Sequence, residues 1–182
     1  MVDCTMANSK DPDPASFTRF QRILLGTDGT VTHILEAYAE EAVEVVKLLQ
    51  EYDTPNDADL PLDLAPDDKV LRRHVLLRGR GSGRLLLYAE AVVALGRVDP
   101  AVLDGLLGTD KPIGVLLAER RTETFREILR VGREPAGSVG AYFGLDAAAH
   151  LVSRTYVIVK NCRPLMLITE KFPGDFFRGL PA

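Results

Sequence analysis

Two neighbouring runs constrain this chain most: TYVIV, residues 155–159, and RPLMLITEKFP, residues 163–173. Both are rich in β-branched and apolar residues, and Lys160–Arg163 joins them, which predicts an antiparallel hairpin. Side chains on a strand alternate faces, so Met166, Ile168, Glu170 and Phe172 share one side, and Leu165, Leu167, Thr169 and Lys171 the other. Apolar residues on both sides predict a strand covered on both faces. Glu170 then projects from an apolar row. Such a carboxylate needs a partner or a raised pKa, and either condition is common in an active site. The alternative is a glutamate at a strand end that reaches water.

A second run of the same kind is VLRRHVLL, residues 70–77. Read as a strand, it puts Leu71, Arg73, Val75 and Leu77 on one face and Arg72, His74, Leu76 and Arg78 on the other. Arg72 belongs to a polar face. A guanidinium on the apolar row is expensive unless it meets an anion, so Arg73 is either an anion ligand or half of a buried structural ion pair. The GRGSG that follows, residues 79–83, lacks the Lys-Ser/Thr of a phosphate-binding loop and lies between two strand-like runs. A hairpin turn into LLLYAEAVVA, residues 85–94, is the better reading.

The remaining segments supply short helices. Phe17, Phe20, Ile23 and Leu24 have helical spacing, and Thr30 of the turn GTDGT (26–30) is placed to cap a helix through VTHILEAY. Asp99-Pro100 caps and starts a helix ending at Gly108, and Pro112 starts another through Ala118. Residues 42–49 and 122–131 fit helix or strand equally. Residues 54–68 and the glycine-rich 135–144 read as loops, and LDAAAHLVSR leads into the closing hairpin. The first 16 residues are polar, proline-containing and aperiodic, and are expected to be a disordered tail before one domain, 17–182. Four to six strands, mostly in hairpin order, with short helices between them, predict an α+β fold: a single domain with an antiparallel β-sheet flanked by helices.

Composition removes several function classes. A net charge of −4 gives no electrostatic reason to expect nucleic acid or an anionic membrane as partner. No apolar run approaches the ~18 residues of a membrane span, and no leader pattern opens the chain. Cys4 and Cys162 are the two cysteines, so a reduced, cytoplasmic setting is expected. His33, His74 and His150 have no metal-ligand spacing with each other or with the cysteines, no G-x-S-x-G elbow occurs, and no dinucleotide fingerprint is present. One inward Glu, one inward Arg and an apolar lining suit a small anionic organic ligand.

Four segments carry a resemblance: GTDGTVTHIL (26–35), VLRRHVLLRGR (70–80), TDKPIGVLLAERRTETFREI (109–128) and RPLMLITEKF (163–172). In order and in register, they resemble the chorismate pyruvate-lyase (4-hydroxybenzoate synthase) family, in its actinobacterial-type branch. The resemblance implies a sheet with the ligand enclosed beneath helical flaps. It further implies conversion of chorismate to 4-hydroxybenzoate and pyruvate, without metal or organic cofactor. By that resemblance Arg73 holds the ring carboxylate, Glu170 meets the ring oxygen, and Val31 and Ile113 make backbone contacts near the carboxylate. A second cation should receive the enolpyruvyl carboxylate. Arg154, just before TYVIV, is the candidate, with a structural salt bridge as its alternative role.

The chain also departs from the family. Ubiquinone-pathway members carry Arg where this chain has Glu90, and an inward Glu90 would alter substrate fit or the substrate. Cys162 and Arg163 stand where the family has small residues. Two other readings follow: an enzyme of specialised metabolism acting on another ligand, and a silent aromatic-acid binding module like the sensing domains of some bacterial regulators. Those domains are normally fused to a winged-helix reader, and no such segment is read before Phe17. The pattern sets no oligomeric state.

Overall fold

Among the described residues six strands form one sheet in which every neighbouring pair is antiparallel: β1 (Val43–Asp53), β2 (Val70–Gly79), β3 (Leu85–Ala94), β4 (Phe125–Pro135), β5 (His150–Lys160) and β6 (Arg163–Pro173). The order across the sheet is β1-β2-β3-β6-β5-β4. The structure, a computed structural model, describes residues 16–55 and 61–174. The expected tail therefore lies outside the described residues except for Ser16. Both segments that fitted helix or strand are strands, β1 and β4. In each, β-branched residues gain more from a ladder partner than local helix propensity offers.

The hairpins close as their turn residues require. Asn161 and Cys162 hold φ of 51° and 58°, so both central residues of the β5–β6 turn are left-handed, as in a two-residue primed turn. In the β2–β3 turn Gly83 takes φ of 70°. The GRGSG loop does cradle an anion, but an internal one: Gly81 N and Ser82 N donate to Glu41 Oε2 at 2.6 and 2.8 Å. The Ser82 hydroxyl and these amides hold the Glu41 carboxyl below its ordinary range.

Four α-helices of the described residues sit on one face of the sheet: α1 (Arg19–Gly26), α2 (Val31–Ala39), α3 (Pro100–Gly108) and α4 (Ile113–Glu119). Helix α1 begins with a Thr18/Gln21 capping box, and α3 with Asp99 accepting from Ala101 N ahead of Pro100. Two apolar clusters pin the helices down. Leu24, Leu25, Val31 and Leu35 of α1 and α2 pack on Val45, Leu77, Leu87 and Phe172. Val102, Leu106, Leu116 and Leu117 of α3 and α4 pack on Leu71, Val93, Met166 and Ile168.

The sheet contributes to both clusters from the same face, so its two sides are unequal. On β6, Met166, Ile168, Glu170 and Phe172 are buried, while on the other row Leu165 is buried and Leu167, Thr169 and Lys171 are half-buried. The expected cover on both faces is thus complete on the inner side and partial on the other. With α1 to α4 on one side, the outer face is covered locally, as where Tyr142 of the 3-10 turn Gly137–Phe143 stacks on Tyr88 at 6.0 Å. Ile23, expected on the apolar side of α1, is 54% exposed, and Leu25 is buried in its place.

Phe172 is fully buried where β6 meets the first cluster. Phe172→Ala should lower the unfolding free energy by about 3–5 kcal/mol in urea titrations, the range for truncating a buried aromatic. A loss near zero would mean that the α1–α2 layer is not anchored through this ring.

Candidate active site

Between the two clusters the sheet's inner face and the helices enclose a pocket of roughly 640 Å³, part of it open to solvent. Its floor is the inner row of β2, β3, β5 and β6. On β3 that row offers Ala89 and Ala91, whose single methyl groups leave the space that Leu or Ile would fill. The roof is made by the starts of α2 and α4, residues 29–32 and 112–114. These two helix starts touch: a Cβ on Gly114 would lie 2.9 Å from Thr30 Cγ2, closer than carbon atoms approach. Neither start has a side-chain cap, so the first-turn N–H groups beside Val31 and Ile113 have no side-chain acceptor.

The register sets which strand residues meet beneath that roof. Arg73 pairs with Ala91, Ala91 with Ile168 and Ile168 with Tyr156, which makes one continuous inner row. The next row holds Ala89, Glu170 and Arg154. Arg73 is 2% exposed, and its Nε and both Nη atoms are buried with no hydrogen-bond partner among the described residues. Among the described residues no ion pair forms there, so of the two sequence readings of Arg73 the structural pair finds no partner in them. Burial pulls the guanidinium pKa down, and the field of Asp110 partly restores it. A buried guanidinium without a partner is costly, and the physical remedy is an anion in the pocket.

Glu170 is 7% exposed, so it does not reach water from a strand end. Arg154 Nε donates to its Oε2 at 2.6 Å, and the Tyr156 hydroxyl donates to its Oε1 at 3.1 Å. Both Glu170 and Tyr156 line the pocket. The Arg154 guanidinium also lies over the Tyr156 ring at 4.8 Å. Burial first, and then the Glu170 carboxylate, push the Tyr156 hydroxyl far above its ordinary pKa, so it stays protonated and keeps donating. The Glu170 carboxylate is thus fixed in orientation, with its remaining lone pairs available to a ligand.

Arg154, expected to receive a second carboxylate, is engaged elsewhere. Its Nε holds Glu170, its Nη1 donates to Thr27 O at 2.8 Å, and its side chain is fully buried outside the pocket lining. The ion pair with Glu170 on the adjacent strand claims it first. Glu90 faces away from the pocket: its neighbours Ala89 and Ala91 line it, while Glu90 lies 3.8 Å from Lys171 on the outer side. The doubt it raised about substrate fit therefore has no structural basis.

Two titratable pocket residues escaped the sequence reading. Tyr156 lay within a recognised strand, and its place on the inner row follows from pairing with Ile168. Arg126 lay in the segment that fitted either helix or strand; on β4 it pairs with Ile158 and reaches the pocket. Its Nη1 donates to Asp28 O at 2.6 Å, and its Nε is buried without a partner. Among the described residues no three His, Cys, Asp or Glu side chains converge as a metal site would need. No helix in them is long and apolar enough to cross a membrane.

Residues 24–178 match the family described as chorismate pyruvate-lyase, Rv2949c-like. The chorismate pyruvate-lyase of Mycobacterium tuberculosis is 28% identical over 188 aligned positions, covering 100% of this chain and 92% of the relative. That of Mycobacterium leprae is 30% identical, covering 88% of this chain and 77% of the relative. Among solved structures, PhnF from Mycobacterium smegmatis has a TM-score of 0.64 at 16% identity, covering 82% of this chain and 66% of PhnF. Its effector domain alone has a TM-score of 0.63 and is 90% covered. These structural likenesses show the fold.

The buried pair makes its own forecast. Arg154→Met leaves the Glu170 carboxylate without its cation and should cost about 3–5 kcal/mol of stability, the range for breaking a buried pair. Adding Glu170→Gln removes the stranded charge, so the double variant should regain much of that loss in thermal or urea unfolding. Additive losses would show that the two side chains are energetically independent.

Proposed function

Because the chain belongs to the Rv2949c-like chorismate pyruvate-lyase family, we propose that it converts chorismate to 4-hydroxybenzoate and pyruvate. The observation that carries this reading is a bare buried Arg73 and an oriented Glu170 carboxylate lining one apolar pocket. Arg73 takes the ring carboxylate through its planar fork, which suits bidentate recognition. The first-turn N–H groups at Val31 and Ile113 add neutral donors beside it. Glu170 receives the ring hydroxyl, with Arg154 and Tyr156 holding the carboxylate in place.

The bonds of the substrate define the remaining work. The ring carbon–oxygen bond of the enolpyruvyl ether breaks, and its electron pair leaves on oxygen. The hydrogen on the carbon bearing the hydroxyl is lost as a proton, and its electrons complete the aromatic ring. That proton goes to Glu170 or directly to the enolpyruvyl methylene, and protonation of that carbon yields pyruvate. Aromatisation drives the reaction, so positioning and polarisation are what the protein supplies. Neither proton route uses a metal or an organic cofactor.

The fold is shared with regulator effector domains, which favours a silent binding module as the competing reading. Chorismate incubated with the purified chain should release pyruvate and 4-hydroxybenzoate in equal amounts. Binding of the aromatic acid without pyruvate would select the silent module.

Two substitutions test the roles. Glu170→Gln should lower turnover by ~10²-fold or more if the carboxylate takes the proton, and by less, in step with ligand affinity, if it anchors the hydroxyl. Single-turnover rates and 4-hydroxybenzoate affinity on the same variant separate these cases. Arg73→Met should weaken 4-hydroxybenzoate binding by about 10- to 100-fold, as expected for losing a charge-assisted contact. Its unfolding free energy should hold or rise, because an unpaired buried charge is removed. Unaltered binding with lost stability would make Arg73 a structural residue.

A further inference from the structure

The charges of the pocket do not cancel. Glu170 is matched by Arg154, and Lys47 of β1, outside the lining, is matched by Asp110 at 3.0 Å. Arg73 and Arg126 line the pocket with no ion-pair partner among the described residues. They come from β2 and β4, with β3, β6 and β5 between them, and reach over the inner face from opposite sides. Two unmatched guanidiniums around one apolar cavity suit a ligand with two separate anionic groups.

We infer that Arg126 is the cation for the second carboxylate of the substrate, the one carried by the enolpyruvyl group. This assignment rests on the chorismate reading and deepens it. Arg126 Nη1 is fixed on Asp28 O at 2.6 Å, which holds the guanidinium in place, while its buried Nε lacks an acceptor. Arg154 also has one buried Nη2 without a partner, but it lies outside the pocket lining and is already bound to Glu170 and Thr27 O. The two pocket arginines differ in depth: Arg73 is buried and Arg126 is half-exposed. The ring carboxylate, which the aromatic product keeps, therefore meets the deep cation. The group that leaves meets the outer one. Arg126 then distinguishes substrate from product, because 4-hydroxybenzoate has nothing to offer it.

A ligand comparison tests this without turnover. The probe is 3-(1-carboxyvinyloxy)benzoate, an aromatic ether that keeps both carboxylates and cannot eliminate. Its control is 3-methoxybenzoate, which keeps the ring carboxylate and the ether oxygen. By calorimetry the wild type should bind the dicarboxylate more tightly. Arg126→Met should weaken the dicarboxylate by about 10- to 100-fold, the scale of one charge-assisted contact, and leave the control unchanged. Arg126→Lys, which keeps the charge, should restore part of the difference and the catalytic efficiency with chorismate.

Equal weakening of both ligands would overturn the assignment and make Arg126 a brace for the turn at Asp28. So would equal binding of the two by the wild type, or no effect in either variant. Absence of pyruvate from chorismate with the wild type would remove the lyase reading, while the affinity difference still decides Arg126.

Discussion

The Arg154–Glu170 pair is the interaction on which the site depends. The two residues face each other across the β5–β6 ladder, so the hairpin register alone brings them together. Inside the sheet their attraction is screened far less than at a surface, and breaking it leaves an uncompensated charge. The same guanidinium reaches the carbonyl of Thr27, in the turn that leads into α2 and the pocket roof. One side chain therefore orients the acid on the floor and ties down the turn above it. It also makes Glu170 electrically neutral as part of a pair, which leaves the unpaired arginines to set the charge that a ligand must bring.

The pocket exists because small residues stand where a packed core would have large ones. Ala89 and Ala91 occupy the inner row of β3 between Arg73 on one side and Ile168 and Glu170 on the other. Gly114 lets the start of α4 approach Thr30, so the two helix starts close over the cavity as one roof. Burying Arg73 there with no partner works against folding. Natural proteins carry such local conflicts at functional sites and offset them elsewhere, here through two well-filled apolar clusters.

Much of this was legible in the residues. Period-two patterning placed Arg73 and Glu170 on inner rows, and the turn residues placed both hairpins. The α+β class, with an antiparallel sheet and short helices, followed from hairpin order. What stayed hidden was long-range. Arg154 and Glu170 are sixteen positions apart, and only the register shows that they are opposite each other. Arg126 sits in a run whose Phe125, Ile128 and Leu129 have helical spacing, and pairing with β5 makes it a strand instead. Glu90 was ambiguous for a simpler reason: the face taken by each parity of β3 is fixed only by which side the helices cover.

A fold of this kind does not by itself separate a sensor from an enzyme, since sites are grafted on folds and carry the chemistry. Recognition of an aromatic acid needs little more than Arg73 and an apolar slot. A carboxylate held in one orientation by Arg154 and Tyr156 goes beyond an apolar slot with one cation, and it introduces a second buried charge that must be paired. Positioned acceptors of this kind are useful when a proton must move or charge must shift during reaction. The support around Glu170, more than the burial of Arg73, is therefore the physical argument for a lyase over a silent binding module.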